Sequence, residues 1–324
     1  MIFSREEMLS IAGKTRFRAD VVEKVAHLLN LLSMIFSHPF LKDRVALKGG
    51  TALNLFVFDL PRLSVDIDLN VIGGMTREEL EALRPRMDTA FQAVFSREGF
   101  TVKRVPDEHG GGKWRLGYQG SSGQPGNVEV DINYMLRQPL WDVRRADSRP
   151  LGPYAARGIP VLDLHELAAG KLAALFVRHT ARDLFDTHRL LALRELDPAR
   201  LRIAFVVYGG MNRKDWRTIS LDDIASDPRE TEQLLVPLLQ NGALPEKVDM
   251  GSFVARLTKE CRERLAMVFP LNDNEREFLE QLLSQGKIVP SLLTGDEELQ
   301  RRIAIHPMLN WKALNVRQHF GIES

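Results

Sequence analysis

One cysteine, Cys261, stands in a chain of 324 residues. A single thiol excludes an intramolecular disulfide framework and any cysteine-based zinc cluster, and it fits a reducing cytoplasm. Its expected place is a packed apolar position. Charge of one sign is lacking too: 44 Lys and Arg against 43 Asp and Glu leave a formal net charge of +1. That balance excludes a broadly basic nucleic-acid coat, while a local patch stays open; Arg301, Arg302, Lys312 and Arg317 form one candidate near the C-terminus. No apolar run reaches transmembrane length, Met1-Ile-Phe-Ser-Arg-Glu-Glu7 lacks a signal-peptide profile, and no internal repeat is visible. The expectation is a cytoplasmic protein with neither a membrane nor DNA as partner.

What is present supports two folded regions. With 44% hydrophobic residues, a chain of this length buries a sizeable core. Val21, Val25, Leu28, Leu29, Leu32 and Ile35 recur at helical spacing within residues 1–37. Residues 38–158 carry strand patterns, with a helix near Arg77–Arg97 between them. The Gly and Pro cluster around Arg149-Pro-Leu-Gly-Pro153 reads as a linker, and from Pro160 the pattern is helical, except over Pro198 to Ile219, where it is unclear. The expected architecture is α+β: a mixed sheet with flanking helices over residues 1–158, then a mainly helical domain over 159–324.

Two stretches carry chemistry. In Val45-Ala-Leu-Lys48-Gly49-Gly50-Thr51 an apolar run enters a Gly-Gly-Thr turn. Glycine lets backbone approach a ligand closely, and a helix starting near Thr51 offers unpaired N–H groups to a phosphate. Thr51 is expected to cap that helix and to donate its hydroxyl. In Arg62-Leu-Ser64-Val-Asp66-Ile-Asp68-Leu, alternation places Ser64, Asp66 and Asp68 on one face of a strand. Two adjacent carboxylates repel unless a cation sits between them, and Mg²⁺ commonly takes one or two carboxylates plus substrate phosphates. Nucleotide chemistry at a metal needs a further carboxylate from a neighbouring strand. Lys113–Gln119 and Asn127–Tyr134 read as two strands joined by a Gly-rich turn. Glu129, Asp131 and Asn133 share one face of the second, and Asp131 is the candidate, with Glu129 competing. Gly110-Gly-Gly-Lys113 is not a P-loop, because a strand follows it.

From Pro160, Asp163 reads as an N-cap with Glu166 as its capping-box partner, and the helix is expected to run to about Leu193. On such a helix Lys171, Arg178, Arg182 and Asp186 fall in one stripe with Asp183 beside it. Lys171 stands almost alone in an apolar segment, which favours a polar site and a role as a triphosphate clamp. His165, His179 and His188 share this segment without zinc-like spacing.

Lys-Gly-Gly-Thr-Ala-Leu, Arg-x-Ser-x-Asp-x-Asp-Leu and Lys171-x6-Arg178-x3-Arg182-Asp183-x2-Asp186 together resemble the AbiEii/AbiGii nucleotidyltransferase family. These are toxins of bacterial toxin–antitoxin and abortive-infection modules, the MenT-type toxins among them, within the DNA-polymerase-β-like superfamily. The resemblance implies a nucleotidyltransferase fold in the first domain. It implies phosphate binding by Lys48, Gly49, Gly50 and Thr51, and metal binding (Mg²⁺ or Mn²⁺) by Asp66 and Asp68; Ser64 matches the motif serine, to contact a phosphate or take a regulatory modification, with a local hydrogen bond holding the strand as the alternative. Lys171, Arg178 and Arg182 would contact the nucleotide, and Asp183 would be the acid of the second motif. Thr51 stands where the superfamily usually has Ser. An NTP as donor, RNA (most often the 3′ end of tRNA) as acceptor, and a cognate antitoxin are the implied substrates and partner. The competing expectations are a catalytically silent nucleotide-binding protein acting through an antitoxin complex, and transfer to a protein or small molecule.

Overall fold

The computed structural model describes residues 3–73, 76–106, 110–245 and 247–322. The chain divides into two compact units. The first comprises Met1–Arg137, Val143–Leu162 and Val236–Glu246, the second Gln138–Asp142, Asp163–Leu235 and Lys247–Ser324.

The first unit opens with α1 (Arg5–Thr15), capped by the Ser4 side chain on Glu7 N–H, and α2 (Ala19–Ser37), whose apolar stripe is buried along its length. β1 (Val45–Lys48) leads directly into a helical turn, α3 (Gly49–Thr51), which continues as a π-helical turn over Ala52–Val57. β2 (Asp66–Val71) follows, then α4 (Arg77–Arg97), started by a reciprocal capping box between Thr76 and Glu79. β3 (Thr101–Arg104), β4 (Gly111–Gln119), β5 (Pro125–Asn133), β6 (Arg144–Ala146) and β7 (Ile159–Val161) complete one seven-stranded sheet. Its order is β3-β4-β5-β2-β1-β7-β6. β2 pairs parallel with β5 and antiparallel with β1, so the sheet is mixed. Ile67 and Leu69 of β2, Trp114 and Leu116 of β4, and Val128, Val130 and Ile132 of β5 are buried on the face that α2 and α4 cover. The alternate residues face outward, as the period of two requires. The Pro- and Gly-rich segment after Arg149 joins β6 to β7 and stays in this unit, closing a small Leu151–Tyr154 bridge.

The second unit is helical: α5 (Leu164–Arg178), α6 (Ala181–Leu190), α7 (Pro198–Gly210), the short α8 (Pro228–Glu230), α9 (Met250–Arg264), α10 (Asp273–Gln285), α11 (Glu297–Ala304) and α12 (Pro307–Phe320). Phe176, Phe205, Trp216 and Phe269 pack edge-on or tilted with ring centroids 5.2–5.9 Å apart and form its aromatic centre. Cys261 is fully buried, as expected of a packed thiol. Among the described residues no helix is long and apolar enough to cross a membrane.

Two sequence expectations fail here. The single helix to Leu193 is two helices. His179 adopts a left-handed conformation (φ 57°) that ends α5, and the Thr180 side chain accepts from Asp183 N–H to start α6. Glu166 closes no capping box. Asp163 does cap α5, through His165 N–H, but the Glu166 carboxylate accepts from Trp141 N–H at 3.2 Å and from the Tyr208 hydroxyl at 3.1 Å. It thereby anchors the segment Gln138–Asp142 within the second unit.

That anchor has a pH signature. Burial pushes the Glu166 carboxyl up to about 7, although the N–H groups of Leu140 and Trp141 and the Tyr208 hydroxyl pull the other way. An unfolded glutamate titrates near 4.3, so between there and the folded value the folded protein carries the extra proton, and stability falls as pH rises through that window. Glu166→Gln should flatten this slope, read as urea unfolding of the two proteins at about pH 5 and about pH 8. An identical slope in the variant would remove Glu166 as its source.

Candidate active site

The outward face of the sheet gathers the acidic residues. β2 exposes Asp66 and Asp68 half-buried while Ile67 and Leu69 between them are fully buried. In register, Asp68 lies between Lys48 of β1 and Asp131 of β5, and Asp66 lies beside Glu129. Asp131 is therefore the side-by-side neighbour of Asp68 on the parallel strand. Glu129, the competing acid, is engaged elsewhere: its carboxylate meets Lys113 Nζ at 3.3 Å. Lys113 stands opposite Asp131 across the β4–β5 pair. Burial opposes the charge on Lys113, but the hydrogen bond and charge of Glu129, with the charges of Asp66 and Asp131, outweigh it and hold the ammonium above the usual lysine range. Sequence reading missed this cation, because only strand register reveals it.

The turn after β1 fits closely against this face. Gly49 has φ +73°, and a Cβ built there would lie 2.1 Å from Asp68 Oδ2. Only glycine lets the carboxylate sit against the start of α3. Gly49→Ala should cost about 1–3 kcal/mol through backbone strain and displace the Asp68 carboxylate, so transfer should fall with it. Thermal melts and turnover measured together check this; full activity in Gly49→Ala would contradict the packing.

Thr51 is not the cap expected from the sequence. The helix starts two residues earlier, with Lys48 in the capping position and no side-chain cap. Thr51 is fully buried; its hydroxyl donates to the Asp66 carbonyl and is hydrogen-bonded with the Ser64 hydroxyl at 3.0 Å. Ser64 is buried as well. These two hydroxyls tie the turn to the start of β2. They set the backbone that carries Asp66. Gly50 lies between them and Gly49, and its carbonyl accepts from the buried Asn54 amide at 3.0 Å.

In the second unit, Lys171 is not alone. Its ammonium meets Asp183 and Asp186 at 2.9 Å each, across the break between α5 and α6. The Lys171 side chain is 8% exposed, those of Asp183 and Asp186 3% and 0%. Arg178 adds a second cation on Asp183 at 3.1 Å, and the Thr180 hydroxyl donates to the same carboxylate at 2.8 Å. Burial works against the charge of Asp183, yet Lys171, Arg178 and Thr180 hold its carboxyl below the ordinary range. Arg182 lies on the first turn of α6 beside Asp183.

Among the described residues no group of three or more His, Cys, Asp or Glu side chains is arranged to hold a metal ion. The donor set of Asp66 and Asp68 fits Mg²⁺ of the kind completed by phosphate oxygens and water, which calls on only one or two carboxylates from the protein.

The mixed sheet thus carries a Gly-Gly helical turn packed against an Asp-x-Asp strand. Residues 30–280 match the family described as nucleotidyl transferase AbiEii toxin, type IV toxin–antitoxin system, and the chain belongs to that family. It is thus a nucleotidyltransferase toxin that uses an NTP and is paired with an antitoxin. In fold it is similar to MenT4, nucleotidyltransferase toxin Rv2826c from Mycobacterium tuberculosis H37Rv, with a TM-score of 0.57 and 18% identity over 95% of this chain and 98% of that one. No curated protein matches the sequence.

Proposed function

We propose that this toxin transfers a nucleoside monophosphate from an NTP to the 3′ end of an RNA, a tRNA, and that growth stops because the modified end cannot be charged. The observation that carries the chemistry is the placement of Asp66, Asp68 and Asp131 side by side on adjoining strands, next to the Gly49 turn. Asp66 and Asp68 would hold Mg²⁺ or Mn²⁺, which supplies neutralisation of phosphate charge. The acceptor hydroxyl attacks the α-phosphorus, its proton passes to the Asp131 carboxylate, and the bond to the bridging oxygen breaks to release pyrophosphate. Backbone N–H groups of the Gly49–Gly50 turn stabilise phosphate charge, with Lys48 beside Asp68 adding a cation. Ser64 and Thr51 position the turn. Lys171 is the proposed nucleotide-contacting lysine, with Arg178 and Arg182 as further nucleotide contacts and Asp183 setting the Lys171 geometry.

Incubation with each α-labelled NTP, Mg²⁺, total tRNA and cell protein tests the acceptor. Label on tRNA sensitive to 3′-end oxidation is the expected product. Label on protein alone would favour a protein acceptor, and nucleotide binding with no labelled product would favour a silent binder.

A further inference from the structure

The sheet has a direction. The phosphate-binding turn follows β1, the carboxylate pair is on β2, and Asp131 is on β5, so the proposed site runs from β1 across the sheet toward β4 and β3. In-line displacement puts the leaving pyrophosphate and the attacking hydroxyl on opposite sides of the phosphorus. With the triphosphate held at the β1 turn, the acceptor arrives over β5 and β4.

That approach is paved with cations. Lys113 and Arg115 project from β4 on the face that carries Glu129 and Asp131, because they pair in register with Asp131 and Glu129. Arg104 of β3 stands opposite Arg115, with a bulge between Val102 and Arg104. The stem of Lys103 lies over Gly117, where a Cβ would meet Lys103 Cε at 2.4 Å. Lys103, Arg104, Lys113 and Arg115 are all exposed. Like charges directly opposite on neighbouring strands are destabilising. Among the described residues no acidic side chain pairs with Arg104, Arg115 or Lys103, so the Arg104–Arg115 cost is not offset within the described fold. A chain with a net charge of only +1 has nonetheless concentrated cations along one edge. Strand separation and two-residue rise space them roughly 5–7 Å apart, extending roughly 10–15 Å from the Asp66–Asp68 strand. A single triphosphate docked at β1 does not need that reach; a strand bearing a phosphate at every nucleotide does.

We infer that the β3–β4 edge, through Lys103, Arg104 and Arg115, binds the sugar–phosphate backbone of the acceptor RNA and delivers its 3′ hydroxyl to Asp131. The inference rests on the RNA-acceptor reading above and adds the surface that serves it. The contacts are to phosphates, so they hold the strand without reading its sequence.

Binding of a fluorescent, 3′-hydroxyl-terminated single-stranded RNA and of total tRNA is measured by anisotropy against salt. The full-length protein is compared with the combined Lys103→Gln, Arg104→Gln and Arg115→Gln variant. Each cation withdrawn from a phosphate lowers the magnitude of the log–log salt slope by about 0.7, so the variant's slope should drop by about 2 and its binding weaken roughly tenfold or more near physiological salt. Its NTP affinity should match the parent, and its melting temperature should be at least the parent's, because the facing Arg104 and Arg115 charges are gone. Arg115→Gln alone should show about a third of the slope change, which keeps the test intact if the combined variant folds poorly. Parental RNA binding with an unchanged affinity and slope in the variants would overturn the surface and leave the acceptor reading standing. No RNA binding or labelling by the parent, with a protein labelled instead, would overturn the acceptor reading and this inference with it.

Discussion

Asp66→Ala and Asp68→Ala are each expected to abolish nucleotidyl transfer and toxicity while the protein stays folded. Both carboxylates sit half-buried on the outward face of β2, and the core beneath belongs to Ile67 and Leu69. Losing either side chain empties no core volume, so circular dichroism and the thermal melt should remain those of a folded protein. Turnover is another matter. Removing one preorganised charge partner of a transition state commonly costs 10²–10³ in rate, and removing a metal ligand is expected to cost roughly 10³-fold or more. The decisive comparison is transfer rate against melting temperature for the same preparations. Near-parental transfer by either variant would remove the β2 carboxylates as metal ligands.

Lys171→Met should have the largest effect on stability. Had Lys171 been a solitary charge in an apolar helix, methionine would have been nearly neutral. In the fold its ammonium is shared by Asp183 and Asp186, all three side chains being at most 8% exposed. Removing Lys171 withdraws a cation from two buried carboxylates, at a cost of about 3–5 kcal/mol. Arg178 still faces Asp183, while Asp186 loses its 2.9 Å contact with the ammonium. Lys171→Met combined with Asp186→Asn should therefore recover part of the loss, the signature of a coupled pair. Urea unfolding of the single and double variants checks this. NTP affinity of the folded double variant then reports separately whether Lys171 also contacts nucleotide. A single variant as stable as the parent would show that the cluster contributes nothing.

Much of the first unit was legible because its elements obey local rules. The helix expected near Arg77–Arg97 is α4, and the half-buried positions of Asp66 and Asp68 in β2 and of Glu129, Asp131 and Asn133 in β5 follow from alternation. That alternation makes Asp66, Asp68 and Asp131 the candidates, and their side-by-side register comes from the fold. What was not legible depended on partners distant in sequence. Lys113 gains its meaning only when β4 pairs with β5. Glu166 sits three residues after a true cap, as a capping-box residue would, but the burial of Tyr208 and the Trp141 backbone recruits its carboxylate instead. The break at His179 did leave a trace: Thr180-Ala-Arg-Asp183 is itself a helix-start pattern, with the Asp three residues after the Thr. Apolar periodicity continued through it and hid the boundary. That boundary is what lets Lys171 meet acids that a straight helix would have held in a stripe.

The proposed Asp66–Asp68 centre moves the α-phosphoryl group and not the γ. Parallel reactions with α-labelled and γ-labelled NTP, for the parent and for Asp68→Ala, test it most directly. The expected result is α label on the acceptor, γ label in pyrophosphate, and neither product from the variant. Label from the γ position on the acceptor, or unchanged α transfer by Asp68→Ala, would contradict it.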